Sequence, residues 1–265
     1  MQANNRSYIQ GKFILIEIKW EVWYNMTQID AAHLDYRALN EAIRSSACDC
    51  TVSNCLGQRF LAAGLTQHTI SFSGIPGNAL GAYLDGAQLI VYGNAQDAVG
   101  DTMNEGKIII HGNIGDAAGY AMRGGKIYVK GSAGYRAGIH MKAYQEKIPV
   151  MVIGGTAGSF LGEYQAGGKI IVLGLSAGNR KIVGNFPGTG MHGGKMYLRG
   201  DCRELSFPSQ VTVRPATDAD LDEIREELLE YAQLFQVDLG MILDAPFTVV
   251  TPDSKNPYQQ MYVAN

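Results

Sequence analysis

The sequence predicts a mainly β protein: a right-handed parallel β-helix of roughly nineteen-residue coils with flanking α helices. Three observations carry that prediction. Leu89-Ile-Val-Tyr-Gly-Asn-Ala-Gln-Asp-Ala-Val-Gly100 is repeated nineteen residues later as Ile108-Ile-Ile-His-Gly-Asn-Ile-Gly-Asp-Ala-Ala-Gly119. A fixed period near twenty marks a solenoid. The first glycine after each apolar run gives a series of anchors, Gly74, Gly93, Gly112, Gly131, Gly155, Gly174 and Gly200, at steps of 19, 19, 19, 24, 19 and 26. Four and two places before each anchor stand apolar pairs such as Ile108/Ile110 and Ile170/Val172, whose period of two puts both on one face of a strand.

Nineteen residues are too few for a strand, a crossover helix and two loops, but they suffice for one turn of short strands joined by tight bends. Further glycines recur seven places after the anchor (Gly81, Gly100, Gly119, Gly138 and Gly162, with Gly188 in the same role after an insertion). A third set lies thirteen places on, at Gly106, Gly125 and Gly168, with Gly194 as the late equivalent. Glycine supplies the positive φ and close backbone approach that such bends require. Right-handedness is expected because parallel crossovers take that hand almost without exception.

In chain order, residues 1–25 form an extension expected to be disordered or to arise from an upstream translation start. Residues 26–67 read as an N-terminal α/β cap, with a short helix over Asp35–Arg44 (apolar Leu39 and Ile43). Cys48, Cys50 and Cys55 follow in C-x-C-x4-C spacing; with no fourth ligand nearby and Cys202 remote, ordinary thiols in a strand pair outweigh an iron–sulfur or zinc site. The β-helix occupies 68–206. Its two long steps carry insertions, Ile139–Pro149 and Asn179–Pro187, and inserted loops of solenoids are often contact surfaces. Both are basic and carry an aromatic, so either could dock a partner or bind an anion. Residues 207–265 provide an amphipathic helix of about eighteen residues from an N-cap at Thr217, then a strand at Phe247-Thr-Val-Val and an extended tail from Pro252.

Two outward rows matter. Three before the anchor stand Ser71, Ile90, Ile109, Tyr128, Val152, Ile171 and Tyr197, too apolar for a solvated face. A cover is expected, either a partner or, in preference, a terminal segment of the same chain, for which the C-terminal helix is the best candidate. Five before it stand Gln88, Lys107, Lys126, Lys169 and Lys195. Stacked at β spacing, these lysines repel. They read most simply as solvated at a strand edge, with acidic neighbours or a partner's acidic surface as the alternatives.

Composition sets bounds. The 265 residues carry a net charge of -3, which gives no global electrostatic case for nucleic acid or anionic lipid. No apolar run approaches the ~18 residues of a membrane span. Four cysteines in so long a chain fit a reducing, cytoplasmic setting rather than a disulfide framework.

Motifs for chemistry are weak. Gly188-Thr-Gly-Met-His-Gly193 satisfies G-x-G-x-x-G, but a strand follows it where a dinucleotide fingerprint needs a helix. Gly174-Leu-Ser-Ala-Gly178 satisfies the esterase elbow G-x-S-x-G, yet a poor helix start follows and no acidic residue lies between Gly178 and His192. Asp97 and Asp116 read as turn residues bonding their own backbone. His33, His68, His111, His140 and His192 share no ladder position. No catalytic, cofactor-binding or metal residue is assigned to this chain; the residues assigned a role are the structural glycines Gly74, Gly81, Gly93, Gly100, Gly112, Gly119, Gly131, Gly138, Gly155, Gly162, Gly174, Gly188 and Gly194.

The coils at Gly112-Asn-Ile-Gly-Asp-Ala-Ala-Gly-Tyr-Ala-Met-Arg-Gly-Gly-Lys-Ile-Tyr-Val and Gly188-Thr-Gly-Met-His-Gly-Gly-Lys-Met-Tyr-Leu-Arg-Gly resemble the GXGXG domain of glutamate synthase, the C-terminal β-helix of its large subunit. The likeness runs from about Met26 to the Ser254-Lys-Asn-Pro-Tyr segment and is greatest to stand-alone versions of the domain. It implies a non-catalytic wedge between a glutaminase-like and an FMN-binding synthase-like polypeptide, with FMN and iron–sulfur clusters on those partners. A related β-helix forms a subunit of formylmethanofuran dehydrogenase. Beside this expectation stand two others: a stand-alone hydrolase using Ser176, and a homo-oligomeric binding module. The segment before Met26 and the three clustered cysteines depart from the family pattern.

Overall fold

The computed structural model describes residues 26–253. The extension before Met26 and most of the tail expected after Pro252 lie outside the described residues. Among the described residues, eleven strands form one sheet in the order β1-β2-β3-β4-β5-β6-β7-β8-β9-β11-β10. The strands are β1 (Thr27–Asp30), β2 (Cys50–Leu56), β3 (Thr69–Ile75), β4 (Asp85–Val91), β5 (Glu105–Ile110), β6 (Lys126–Val129), β7 (Val150–Ile153), β8 (Ala166–Val172), β9 (Gly193–Arg199), β10 (Val211–Pro215) and β11 (Phe247–Pro252). Flanking them are the helices α1 (Tyr36–Arg44), α2 (Asp218–Phe235) and α3 (Leu239–Leu243).

From β1 to β9 every neighbour pairs in parallel, and equivalents one coil apart face each other, as in Leu89↔Ile108 and Ile108↔Ile127. Each sheet strand is one side of a coil. A second, shorter parallel ladder joins Ala95, Ile114, Ala133, Ala157 and Val183, two places past the anchors once the insertion is discounted. The pairs before the anchors, this second ladder and a methionine column (Met103, Met122, Met141, Met191) are all buried in one continuous core. Close-packed aliphatic side chains fill the solenoid's interior, and such packing resists deformation.

The stack begins earlier than the repeat. β2 is a full rung, paired with β3 through Cys50↔Ile70 and Val52↔Phe72, and β1 pairs with β2 in turn. The register then shifts between Val52 and Cys55, where Asn54 has φ 59. This bulge adds one residue to the strand. Counting back two and four from Cys55 therefore lands on Ser53 and Thr51, polar residues that hide the rung, although Cys55 lies nineteen before Gly74. Position 68 is accordingly not where the stack starts.

The other end is closed by reversal. β11 pairs antiparallel with β9, and β10 antiparallel with β11. Thr248 Oγ1 accepts the Cys202 N–H at 2.9 Å and donates to the Gly200 carbonyl at 2.8 Å, fixing the corner. An antiparallel return stops the parallel ladder from templating another rung.

Candidate functional site

The sheet's outer face is built as a socket for α2. Thr217 caps this helix reciprocally: its hydroxyl accepts the Asp220 N–H, and Asp220 accepts the Thr217 N–H at 2.9 Å. Arg214 at the end of β10 grips the same carboxylate at 2.6 and 2.9 Å and, with Thr217, holds it well below the usual aspartate range. The helix buries Ile224, Leu228, Tyr231 and Phe235 against Ile109, Tyr128, Val152, Ile171 and Tyr197, the apolar row three before the anchors. Tyr231 leaves no room beneath it. A Cβ at Gly154 would collide with its hydroxyl, so a glycine at this one position lets the helix seat.

The lysine row is not solvated, contrary to the simplest sequence reading. Lys107 and Lys126 meet Glu230, the latter at 3.3 Å, and Lys126 also meets Glu226 at 3.1 Å. Lys169 reaches Glu227 at 3.2 Å, and Lys195 pairs with Glu223. The carboxylates at 223, 226, 227 and 230 lie on one helix face by their spacing. Burial would raise the Glu230 carboxyl, but hydrogen bonds from Lys107 and Tyr128 (2.5 Å) outweigh it and hold the carboxyl below its usual range. Val150 occupies this row in β7 and separates the two lysine pairs.

The turn stretches repeat a conformation as well as a sequence. Residues five, seven and nine past each anchor have positive φ: Ala98, Gly100 and Thr102; Ala117, Gly119 and Ala121; Arg136, Gly138 and His140; Phe160, Gly162 and Tyr164. The middle position differs from its neighbours in direction. A Cβ on Gly100 would lie 2.6 Å from Ile127 Cδ1, and one on Gly119 2.5 Å from Met151 Cε. Gly81, Gly138 and Gly162 face the core in the same way, whereas Gly188 is looser, with its nearest neighbour at 3.6 Å. Gly93, Gly112, Gly131 and Gly155 stack carbonyl to Cα, a Cβ on each lying within 2.9 Å of the preceding anchor's oxygen, and Gly74 meets Cys55 likewise. Gly174 (φ 62) abuts Ile182, and Gly194 (φ 76), second in β9, packs against the Gly168 carbonyl.

Asp97 and Asp116 bond the next coil and not their own backbone. Asp97 accepts the Asp116 N–H at 2.9 Å, and Asp116 accepts the Tyr135 N–H at 2.8 Å. Asn94 and Asn113 do the same for Asn113 and Ser132, both at 2.8 Å. These side chains continue the inter-coil ladder where the backbone leaves the sheet.

The motifs for chemistry lie apart. Ser176 sits in a turn that continues as turn, with no helix after it, and its carbonyl accepts Arg180 Nη2 at 3.2 Å. Gly188–Gly193 is a turn leading into β9. Neither Ser176 nor His192 lines any of three well-formed hollows on the described residues. One of these, of about 710 Å³, is the open groove between α2 and the lysine row. A second, of 140 Å³, lies between α2, α3 and β11, and a third, of 300 Å³, joins Arg180 and Arg199 to the Asp201–Leu205 turn. Cys50 and Cys55 point into the core; burial raises both thiols, Cys55 to about 11, so they stay protonated at neutral pH. Among the described residues no three His, Cys, Asp or Glu side chains converge as metal ligands. Nor is any described helix long and apolar enough to cross a membrane.

The sequence reading missed an aromatic edge on the turn side. His140 stacks on Tyr164 with centroids 5.1 Å apart and planes at 12°, and Tyr120 meets His140 edge-on at 5.9 Å. Phe160 and Phe186 lie 5.3 Å apart, with the Arg136 guanidinium 5.3 Å from the Phe160 ring. The histidines share no row of their own, and the row that holds one is of mixed residue type. His140, Tyr164 and Gly190 all stand nine past their anchors once the insertion is discounted.

A filled parallel β-solenoid with one face sealed by its own C-terminal helix defines the class of fold. Within it, the chain belongs to the GXGXG motif family, that of the C-terminal domain of the glutamate synthase alpha subunit, which matches residues 31–252. An uncharacterized protein of Methanocaldococcus jannaschii is 45% identical over 248 residues, spanning 88% of this chain and 95% of the relative. Among solved structures, a chain of the formyltransferase/hydrolase complex (FhcABCD) of Methylorubrum extorquens, determined with methylofuran, superposes with a TM-score of 0.61 at 20% identity. The match covers 86% of this chain and 91% of that one, a likeness of fold.

Proposed function

We propose that this chain is a non-catalytic structural subunit of a multi-subunit enzyme complex of glutamate synthase type. It holds a glutaminase-like and an FMN-binding synthase-like polypeptide in fixed relation, and FMN and iron–sulfur clusters belong to those partners. The observation that carries this reading is the solenoid's continuous core, in which aliphatic columns and stacked anchor glycines leave a rod suited to gripping neighbours. Transfer of ammonia between two active sites needs fixed geometry and exclusion of water, both of which a stiff spacer between catalytic polypeptides supplies.

A second reading is favoured by the superposition on a chain of the formyltransferase/hydrolase complex: a structural subunit of a formyl-transferring assembly. The test is affinity purification of the chain at native expression, with co-eluting polypeptides identified by mass spectrometry and bound flavin by absorbance. Co-elution of a flavoprotein and an amidotransferase supports the first reading. Co-elution of formyltransferase or hydrolase polypeptides instead selects the second.

A further inference from the structure

The turn edge carries a feature that coil geometry alone does not call for. Positions five and nine past the anchor require positive φ, and the coils at Gly93 and Gly112 meet this with small residues: Ala98, Thr102, Ala117 and Ala121. Bulky residues stand at these positions singly in the first coils, at Phe60 and Tyr83, but in the coils at Gly131 and Gly155 Arg136, His140, Phe160 and Tyr164 fill all four of them, and Phe186 follows in the sixth. A bulky side chain gains nothing there as a backbone unit, since left-handed conformations disfavour it.

These side chains are also ordered against one another before anything binds. His140 lies flat on Tyr164, whose ring in turn covers Gly190, where a Cβ would collide with it. Arg136 is held both over Phe160 and by Glu163 at 2.8 Å. Large apolar area nevertheless stays in solvent: Tyr120 is 42% exposed, Tyr135 56% and Phe186 52%. Pre-ordered aromatic and arginine side chains lose little freedom on binding, and they dominate the energetics of protein interfaces.

Charge indicates what would cover them. Arg123 and Lys142 stand one coil apart at the same place, eleven past the anchors, and follow Tyr120 and His140 closely in sequence. Both are exposed, and among the described residues neither makes an ion pair. The helix side differs, for there each lysine of the row already has its carboxylate.

We infer that the aromatic–arginine edge formed by the turns of the Gly112 to Gly174 coils is the surface that docks another polypeptide of the complex. That partner presents apolar side chains rimmed by carboxylates. The inference rests on the proposed role as a structural subunit and adds to it the face used.

The test is site-specific photo-crosslinking of the full chain in producing cells. A benzoylphenylalanine replaces Tyr135 or Phe186 on the edge, or Leu229 on the outer side of α2, and adducts are identified by mass spectrometry. The expected result is an adduct at 135 and 186 with one and the same other polypeptide, weakened at least tenfold by Arg123→Glu with Lys142→Glu, and little adduct at 229. If that polypeptide is not a flavoprotein or amidotransferase, the docking face stands and the glutamate synthase reading fails. Adducts of a flavoprotein only at 229 would leave that reading intact and overturn the docking face. Adducts with a second copy of the chain, or none at 135 and 186, would also overturn it.

Discussion

At the residue scale, positive φ alone does not explain where glycine recurs. Ala98, Gly100 and Thr102 share the left-handed region, yet only Gly100 would aim a Cβ into the aliphatic column. Gly100→Ala should therefore destabilise by about 2–4 kcal/mol, from overpacking added to backbone strain. Ala98→Gly should be neutral or stabilising by up to about 1 kcal/mol, because relief of its φ of 57° opposes the added chain entropy. Urea denaturation of the two variants measures this contrast; equal losses would show that the turn, and not the core, selects glycine. Asp116→Ala removes the acceptor of the Tyr135 N–H and should cost about 1 kcal/mol in the same assay. Much of this scale was legible in the sequence, since anchor glycines and apolar pairs recur as letters. The aspartate role was not, because a side chain that bonds one coil onward sits in the same turn as one that bonds itself.

At the element scale, α2 is held by burial and by a row of ion pairs that bridge residues 28 to 123 positions apart in sequence. The apolar row predicted that a cover exists and the amphipathic helix predicted what supplies it. The partnering of lysines with glutamates could not be read, because it depends on which way the helix crosses the strands. The pH dependence follows from the shifts. The Glu223 and Glu230 carboxyls are depressed: burial raises them, but hydrogen bonds from Lys195 and Lys107 with their neighbours prevail. A depressed carboxyl adds stability above the unfolded pKa of about 4.3, and that stability disappears as pH falls through the folded value. Hydrogen exchange of α2 should thus be slow and level from pH 5 to neutrality, after correction for intrinsic rates, and protection should fall below about pH 4. Glu230→Gln should lower the protection of α2 by about 1–2 kcal/mol while leaving β4–β6 unchanged. Loss of protection across the whole solenoid would show that helix and sheet unfold as one unit.

At the scale of the whole molecule, the sequence carries the architecture because a solenoid repeats its instructions in each coil. What it concealed are the places where repetition breaks. A bulge at Asn54 hides the rung at β2, and at the far end only the strand at Phe247-Thr-Val-Val was announced, while β10, α3 and the antiparallel pairing of β11 were not. The aromatic edge escaped notice because its members share a position and not a residue type. The resulting molecule has a filled interior, one face sealed internally and one edge bearing unburied aromatics, a form suited to joining other polypeptides.

The most direct test of that conclusion is light scattering on size-exclusion chromatography of the chain purified at native expression, with mass spectrometry of the peak. The account predicts a particle well above the 28.7 kDa of the chain, containing other enzyme polypeptides in fixed ratio. A monomer of that mass with hydrolase activity abolished by Ser176→Ala would contradict it.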